Sequence, residues 1–390
     1  MKIGIDKIGF YTPHLYIDMN KLALARNVKP EKLTIGIGQE KMAVPPITQD
    51  TVTLAANAAL EILDKDDKEK INFVIFATES GIDFSKAAAI YVHHLLGLNP
   101  NARSIEVKEA CYGATAAVQI AKGHIALNPE SKVLVLGSDI SRYGLNSPGE
   151  ATQGAGAVAI VMSVNPRILT FEGPSVYHTE DVMDFWRPLY SDTAFVQGKY
   201  SVELYIAFFQ NVWKQYKDRT GLELKDFEAI CFHLPYTKLG LKALRTVIDE
   251  GMDEVQKRLL ANFEISRRYN KVVGNIYTGS LYLSLLSLLE LNTDIEPGSR
   301  IGLFSYGSGA VGEFFPCIVQ PQYREALYKA QHAKLLSERR EISISEYEEI
   351  FQTTSLAEVS SARFPIEKDP AAICLAGVNE HKREYVNKVN

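Results

Sequence analysis

The sequence predicts an α/β fold built from two similar halves, and three observations carry that expectation. Short apolar runs alternate with helix-like segments, and several runs are apolar on nearly every residue, as in strands covered on both faces. The helix-like segments 112–127 and 279–290 are small or apolar almost all round, which places them inside the molecule. Features also recur in one order on either side of Asn165-Pro166. Gly154-Ala155-Gly156-Ala157-Val158 is echoed by Gly307-Ser308-Gly309-Ala310-Val311. The strand before Glu79 is echoed by the strand ending at His233, and the helix starting at Cys111 by the helical segment after Asn275. Chance among Gly/Ala/Val-rich strands is the alternative to duplication. Under duplication, Glu79 and Cys111 from one copy face His233 and Asn275 from the other.

Taken in chain order, strands are expected at 3–10, 71–77, 104–107, 132–138, 155–164, 228–233, 300–305 and 310–319, a set rich in Val, Ile and Phe. Helices are expected at 50–63, 85–96, 112–127, 201–219, 237–260 and 279–290. No linker separates large domains. Asn165-Pro166 is the best hinge and divides the chain into halves 1–166 and 167–390. The segment 320–368 is more charged (SERREISISEYEE) and reads as surface helix, with 370–388 returning as a last strand.

Apolar residues make up 46% of the 390 positions and charged residues 23%, the balance of a soluble globular protein. A chain this long buries an ample core without disulfides or metal. The net charge of −5 argues against a general nucleic-acid binder or a polybasic membrane protein. The opening MKIGIDKIGF lacks the apolar stretch of a signal peptide, and the longest apolar runs stop short of a membrane span. Cys111, Cys231, Cys317 and Cys374 are scattered, with no CxxC and no Cys/His cluster. That excludes a disulfide framework or zinc knuckle and points to a reducing, cytoplasmic setting.

Cys111 sits between a strand-like stretch and an Ala-rich helix. A thiol at a helix N-terminus meets unsatisfied N–H groups and the positive dipole end, which favour thiolate. Gly113 and Ala114 keep the first turn slim enough for an acyl group on sulfur. A small buried core thiol is the competing reading, and it is retained for Cys231, Cys317 and Cys374. His233 ends an apolar strand that Pro235 stops, which leaves the imidazole either at a sheet edge where ligands meet or as a satisfied core histidine. Glu79 follows another apolar strand, so its carboxylate needs a salt bridge or a task as general base, and desolvation there raises its pKa. Asn275 enters a buried helix and either caps it or donates to a substrate carbonyl.

Gly307-x-Gly309-x-x-Gly312 matches a dinucleotide fingerprint, but strand-like residues follow it where a helix is required. It reads as a tight β-turn whose backbone N–H groups, for instance at Ser308, face an acyl oxygen. His93-His94 has no third ligand nearby in sequence, so no metal site is assigned.

Together, Glu79, ACYGAT at Cys111, the LP turn after His233 and GNIYTGSLY at Asn275 resemble the hydroxymethylglutaryl-CoA synthases, thiolase-like condensing enzymes, in their shorter bacterial form. ATQGAGAVA (151–159), DFWRP (184–188), VQGKYSVELY (196–205) and GLFSYGSGA (302–310) extend the match over nearly all of 1–320. The resemblance implies a five-layered αβαβα thiolase-like fold of two similar halves, usually a homodimer. It implies condensation of acetyl-CoA with acetoacetyl-CoA and water to 3-hydroxy-3-methylglutaryl-CoA and CoA, in the mevalonate route. By motif, Cys111 takes the acetyl group, Glu79 is the general acid/base and His233 holds and polarises acetoacetyl-CoA. Asn275 and Ser308 align with acyl-contacting positions, and Tyr143, Thr152 and Ser201 with substrate-contacting ones. Lys238 and Lys242 fall where the family contacts CoA; without the resemblance their i, i+4 spacing reads equally as an ordinary solvated face. No metal and no cofactor beyond the CoA thioester substrates is expected, and no nucleic acid or membrane partner.

Two rivals remain at this stage. A ketoacyl synthase III-like enzyme also uses Cys, His and Asn, but its decarboxylative condensation needs no base such as Glu79. A non-catalytic acyl-CoA-binding module on the same fold would leave Cys111 unmodified.

Overall fold

Strand β2 (Ile71–Ala77) is apolar on both faces because both are covered: Phe73, Ile75 and Ala77 enter one core, and Val74 and Phe76 enter another. The computed structural model describes residues 1–248, 253–353 and 359–389. Its main sheet also contains β1 (Ile3–Tyr11), β3 (Arg103–Val107), β4 (Lys132–Ser141), β5 (Gly154–Val164), β6 (Leu169–Phe171), β7 (Val176–Thr179), β8 (Ala229–Phe232), β9 (Arg300–Gly307) and β10 (Val311–Val319). The order is β8-β9-β10-β6-β1-β5-β4-β2-β3, with β7 paired to β10.

The pairing pattern occurs twice. β2 runs parallel to β4, β4 antiparallel to β5, and β5 antiparallel to β1. β8 likewise runs parallel to β9, β9 antiparallel to β10, and β10 antiparallel to β6. The three sequence echoes map onto this pattern: Glu79 and His233 follow the matched strands β2 and β8, and the two glycine motifs lead into β5 and β10. Helices α3 (Gly113–Leu127) and α7 (Ser280–Leu291) follow Cys111 and Asn275.

The layers follow from which face each strand shows to which helix. α1 (Thr51–Ile62) and α2 (Ala88–Leu96) cover the outer face of β2, β4 and β5. α4 (Gly198–Thr220), α5 (Leu239–Arg245) and α6 (Asp253–Ser266) cover the outer face of β8, β9 and β10. The inner faces of both sheet halves share one cluster with α3 and α7, and every α7 residue from Ser280 to Glu290 is buried. The helices that are apolar all round thus form the middle of an αβαβα stack.

Three expectations change. The single helix expected over 237–260 is two, α5 and α6, and residues 249–252 lie outside the described residues. The last strand expected over 370–388 is a hairpin, Ile373–Asn379 with Lys382–Asn387, turned at Glu380 and His381, which both adopt positive φ. The segment 320–368 is not simply surface helix; residues 354–358 lie outside the described residues. Arg340–Glu341 pairs in parallel with Leu15–Asp18, and Tyr347 is buried. His332 on α8 (Lys329–Ser337) is wholly buried: Nδ1 lies 2.7 Å from Glu290 Oε1, and Nε2 accepts the Phe10 N–H at 3.2 Å. A polar residue in a charged segment reads as solvent-facing until its buried partners on other elements are known.

Candidate active site

A kink delivers Cys111. β3 ends at Val107, Ala110 adopts φ +39° and Tyr112 occupies the N-cap position of α3, so Cys111 lies just outside the helix. The expected thiolate is not favoured there. Desolvation, then the carboxylate of Glu79, then Asp139 and Asp184 push the thiol well above its ordinary value. The thiol keeps its proton and donates it to Glu79 Oε1 at 3.0 Å. Desolvation first, and the acidic neighbours after it, outweigh the partial charge of the helix end.

Glu79 follows β2 and is half-buried. Its carboxyl is pushed up to about 8, first by desolvation, then by Asp139 and Glu109, while the Cys111 bond and the Arg187 cation pull the other way. Its backbone is held at both ends. Its N–H donates to Asp139 Oδ1 at 2.9 Å, and its carbonyl accepts from Arg187 Nη2.

Asp139, buried in β4, fastens the two halves at this point. Oδ1 accepts from the Thr78 hydroxyl, Glu79 N–H and Ser80 N–H; Oδ2 accepts from the Thr278 N–H and hydroxyl. The loop after β2 and the turn into α7 therefore share one carboxylate. Asn275, in that turn, is buried. Its Oδ1 accepts from Tyr277 N–H and the Ser280 hydroxyl, both at 2.9 Å, which leaves the amide N–H2 as its donor. The oxygen braces the turn into α7 without capping that helix, and the nitrogen keeps its donors. The turn is pressed against β5. Gly274 has φ +98°, and a Cβ there would stand 2.2 Å from the Gln153 carbonyl oxygen.

His233 ends β8 and is 1% exposed. Desolvation lowers its pKa to about 3, so the ring is neutral. Its backbone is fixed by its N–H to Phe304 O and by the Tyr205 hydroxyl on its carbonyl, but Nδ1 is buried without a partner among the described residues. A buried ring nitrogen left open is the arrangement of a group kept for a ligand. No hydrogen bond joins His233 to Cys111 among the described residues. The ring of Tyr205, whose hydroxyl holds the His233 carbonyl, packs edge-on against Tyr306 at 5.4 Å, and the Tyr306 hydroxyl donates to Asp184.

Tyr143, after β4, has its N–H on Gln153 Oε1 at 2.8 Å and its ring edge-on to that of Tyr277 at 6.3 Å, and the Thr152 hydroxyl donates to Gly149 O. Burial raises both tyrosine hydroxyls, and the Glu79 carboxylate adds to that rise in each. Phe185 packs edge-on to both rings, at 6.0 and 5.9 Å.

Ser308 stands in the β9–β10 turn, so Gly307-x-Gly309-x-x-Gly312 is a hairpin turn as expected. The turn abuts the Cys111 loop: a Cβ at Gly307 would lie 2.6 Å from Glu109 O and 2.7 Å from Tyr112 N. Asp184 locks it, accepting from Gly309 N–H, Tyr306 and Ser201. The Ser201 hydroxyl is therefore engaged by Asp184. Lys238 caps α5 and Lys242 lies in it, with Nζ 3.0 Å from the Tyr236 hydroxyl. Both lysines lie beyond the Glu79–Cys111 pair, on the far side of His233 in the chain.

Asp139, Asp184, Tyr277 and Arg187 were not singled out by sequence. The signal for Asp139 was present: a carboxylate inside the apolar run KVLVLGSDIS demands partners as Glu79 does.

With this geometry in view, the comparisons with known proteins agree. The family model described as hydroxymethylglutaryl-coenzyme A synthase N terminal matches residues 1–167, and its C-terminal counterpart matches 169–261 and 247–370. Hydroxymethylglutaryl-CoA synthase of Enterococcus faecalis is 52% identical over 387 residues, covering 99% of this chain and 100% of that protein. A crystal structure of HMG-CoA synthase complexed with CoA superposes with a TM-score of 0.96 at 46% identity, covering 99% of this chain and 100% of the other. MvaS in complex with 3-hydroxy-3-methylglutaryl coenzyme A gives 0.88 at 34% identity, with 99% of each chain covered. The middle-layer helices, the thiol–carboxylate pair and these matches lead to one conclusion: the chain belongs to the hydroxymethylglutaryl-CoA synthase family.

Proposed function

We propose that this chain condenses acetyl-CoA with acetoacetyl-CoA and water to 3-hydroxy-3-methylglutaryl-CoA and CoA, through an acetyl group carried on Cys111, as a step of the mevalonate route. The observation that carries the mechanism is the Cys111 Sγ–Glu79 Oε1 contact of 3.0 Å. Glu79, with a pKa of about 8, accepts the thiol proton as sulfur attacks the acetyl thioester; the bond to CoA breaks, and the CoA thiolate leaves with that proton, so Glu79 is again a carboxylate. With the acetyl group in place, the same carboxylate faces the methyl carbon and removes its proton. Donors for the developing enolate oxygen include the Asn275 amide, and the β9–β10 turn at Ser308 abuts the same loop. The enolate carbon attacks C3 of acetoacetyl-CoA, whose carbonyl the neutral His233 polarises. Water then cleaves the Cys111 thioester.

Tyr143 and Thr152 shape the acyl site, Ser201 acts through Asp184, and Lys238 and Lys242 meet CoA phosphates. The halves 1–166 and 167–390 act as two copies of one α/β unit, which the doubled strand-pairing pattern supports. A homodimer is part of this reading; β3 is an edge strand with Ile105 37% exposed, and an open edge of that kind invites a second chain. Among the described residues no helix is long and apolar enough to cross a membrane, and all four cysteines are free, which supports a cytoplasmic setting.

The test follows acetoacetyl-CoA loss by absorbance with acetyl-CoA present, together with mass spectrometry of the enzyme exposed to acetyl-CoA alone. Turnover and an acetyl group on Cys111 are expected. A malonyl thioester driving turnover in place of acetoacetyl-CoA points to the ketoacyl synthase chemistry, and an unmodified Cys111 points to a binding module.

A further inference from the structure

Residues 184–187 form a strap that carries a cation across the site. Asp184 fixes one end: Oδ1 accepts Gly309 N–H at 3.0 Å, and Oδ2 accepts the hydroxyls of Ser201 at 2.9 Å and Tyr306 at 3.1 Å. Phe185 is wedged against Tyr143 and Tyr277, and Trp186 stacks on Phe195 at 5.8 Å. Four residues are thus spent on bringing Arg187 to Glu79, where its guanidinium donates to the Glu79 carbonyl. The strap starts on the β9–β10 hairpin and ends on the loop after β2, so it joins the two halves over the thiol.

The surroundings make this cation conspicuous. Glu79, Asp139 and Asp184 all act on the Cys111 sulfur, and Glu109 lies close enough to act on Glu79. Arg187 opposes them, and its side chain is exposed, with capacity for more than one acceptor. On the function proposed above, the last step creates one more negative charge in this acidic corner. A C–O bond forms between water and the thioester carbon, the C–S bond breaks, and Sγ leaves with the electron pair and takes up a proton. The new carboxylic acid loses its proton. The resulting carboxylate is born at the atom that was bonded to Sγ, beside Glu79. Acetoacetyl-CoA carries no such group.

We propose that Arg187 is the counter-charge for that carboxylate, and so the residue that distinguishes 3-hydroxy-3-methylglutaryl-CoA from acetoacetyl-CoA at this site. The inference rests on the proposed function, and the experiment separates the two. Calorimetric titrations of both CoA thioesters are run on Cys111→Ala protein, in which no acyl exchange occurs, with Arg187 intact, Arg187→Gln or Arg187→Lys. Arg187→Gln is expected to weaken 3-hydroxy-3-methylglutaryl-CoA by roughly fivefold at low salt, the scale of an exposed ion pair. Acetoacetyl-CoA affinity should hold, Arg187→Lys should recover part of the loss, and added salt should shrink the difference. Equal weakening of both ligands by Arg187→Gln, or none in either, overturns the assignment. Acetylation of Cys111 in the otherwise unaltered protein is measured in parallel. Its failure removes the proposed function, whereas a failed titration with normal acetylation removes only the role of Arg187.

Discussion

Cys111 Sγ sits 3.0 Å from Glu79 Oε1 with the proton on sulfur. Neither group is activated alone. The carboxylate raises the thiol, desolvation raises the carboxylate, and each becomes useful only when the proton passes between them. In the mechanism proposed above, the group that holds the thiol proton in the first step holds the methyl proton in the next, so one base serves two transfers.

Glu79→Gln therefore separates the half-reactions. Losing the carboxylate removes the proton acceptor but also removes the negative charge that disfavours thiolate, so the two effects oppose each other at acetylation. Enolate formation has no such compensation, and condensation should fall by roughly 10²–10⁴-fold while acetyl-Cys111 still forms. Rapid-quench labelling against steady-state turnover checks this; equal loss of both steps contradicts it.

The pH dependence has a defined sign. Below about 8 Glu79 is protonated and cannot take the thiol proton, so kcat/KM for acetylation should rise with pH through that value and then level. Asp139→Asn removes the neighbouring charge that, after desolvation, does most to raise Glu79, so the midpoint should move to lower pH. The same change turns an amide N–H2 toward donors that Asp139 now satisfies, at a cost of about 1–3 kcal/mol in urea unfolding. A midpoint that stays put shows that Asp139 does not govern Glu79.

On the proposed mechanism the imidazole meets only the second substrate, so His233→Ala should weaken use of acetoacetyl-CoA by roughly 10–100-fold and leave acetylation nearly intact. The histidine stays neutral in the fold down to about 3 but takes a proton near 6.5 when unfolded. The unfolded chain thus binds more protons between those values, and the His233 contribution makes stability rise with pH across that window. Urea unfolding at several pH values, compared between the intact protein and His233→Gln, reads this slope.

His332→Ala leaves Glu290 and the Phe10 N–H without their imidazole partner in a dry core. Destabilisation of about 2–3 kcal/mol is expected, with turnover per folded molecule unchanged. Denaturant titration and active-site-normalised rates test both halves of that statement.

Strands such as Ile71–Ala77 were legible because burial on two faces leaves an unbroken apolar run, and α3 and α7 because a helix without a polar face has nowhere to go but inward. Glu79 and His233 were legible as polar residues at the ends of such runs. Asp139 was not, because it sits inside a strand and its five donors come from other elements. The charge state of Cys111 was misread for a related reason. The helix start is local in sequence, but the burial that outweighs it is made by the whole fold, and the carboxylates that add to it arrive from the loop after β2, β4 and the strap. The fold of 320–368 escaped because His332 finds Glu290 and Phe10 through long-range contacts.

The inner cluster draws on both sheet halves, and α7 lies at its centre. A nascent chain that has left the ribosome through β5 has α3 over Ile75, Val135 and Ile160, but the side of α3 that meets α7, where the Thr115 and Tyr282 hydroxyls bond, stays uncovered until residue 291 has been synthesised. Over that interval of translation the leading half is a sticky, unfinished surface and a client for chaperones.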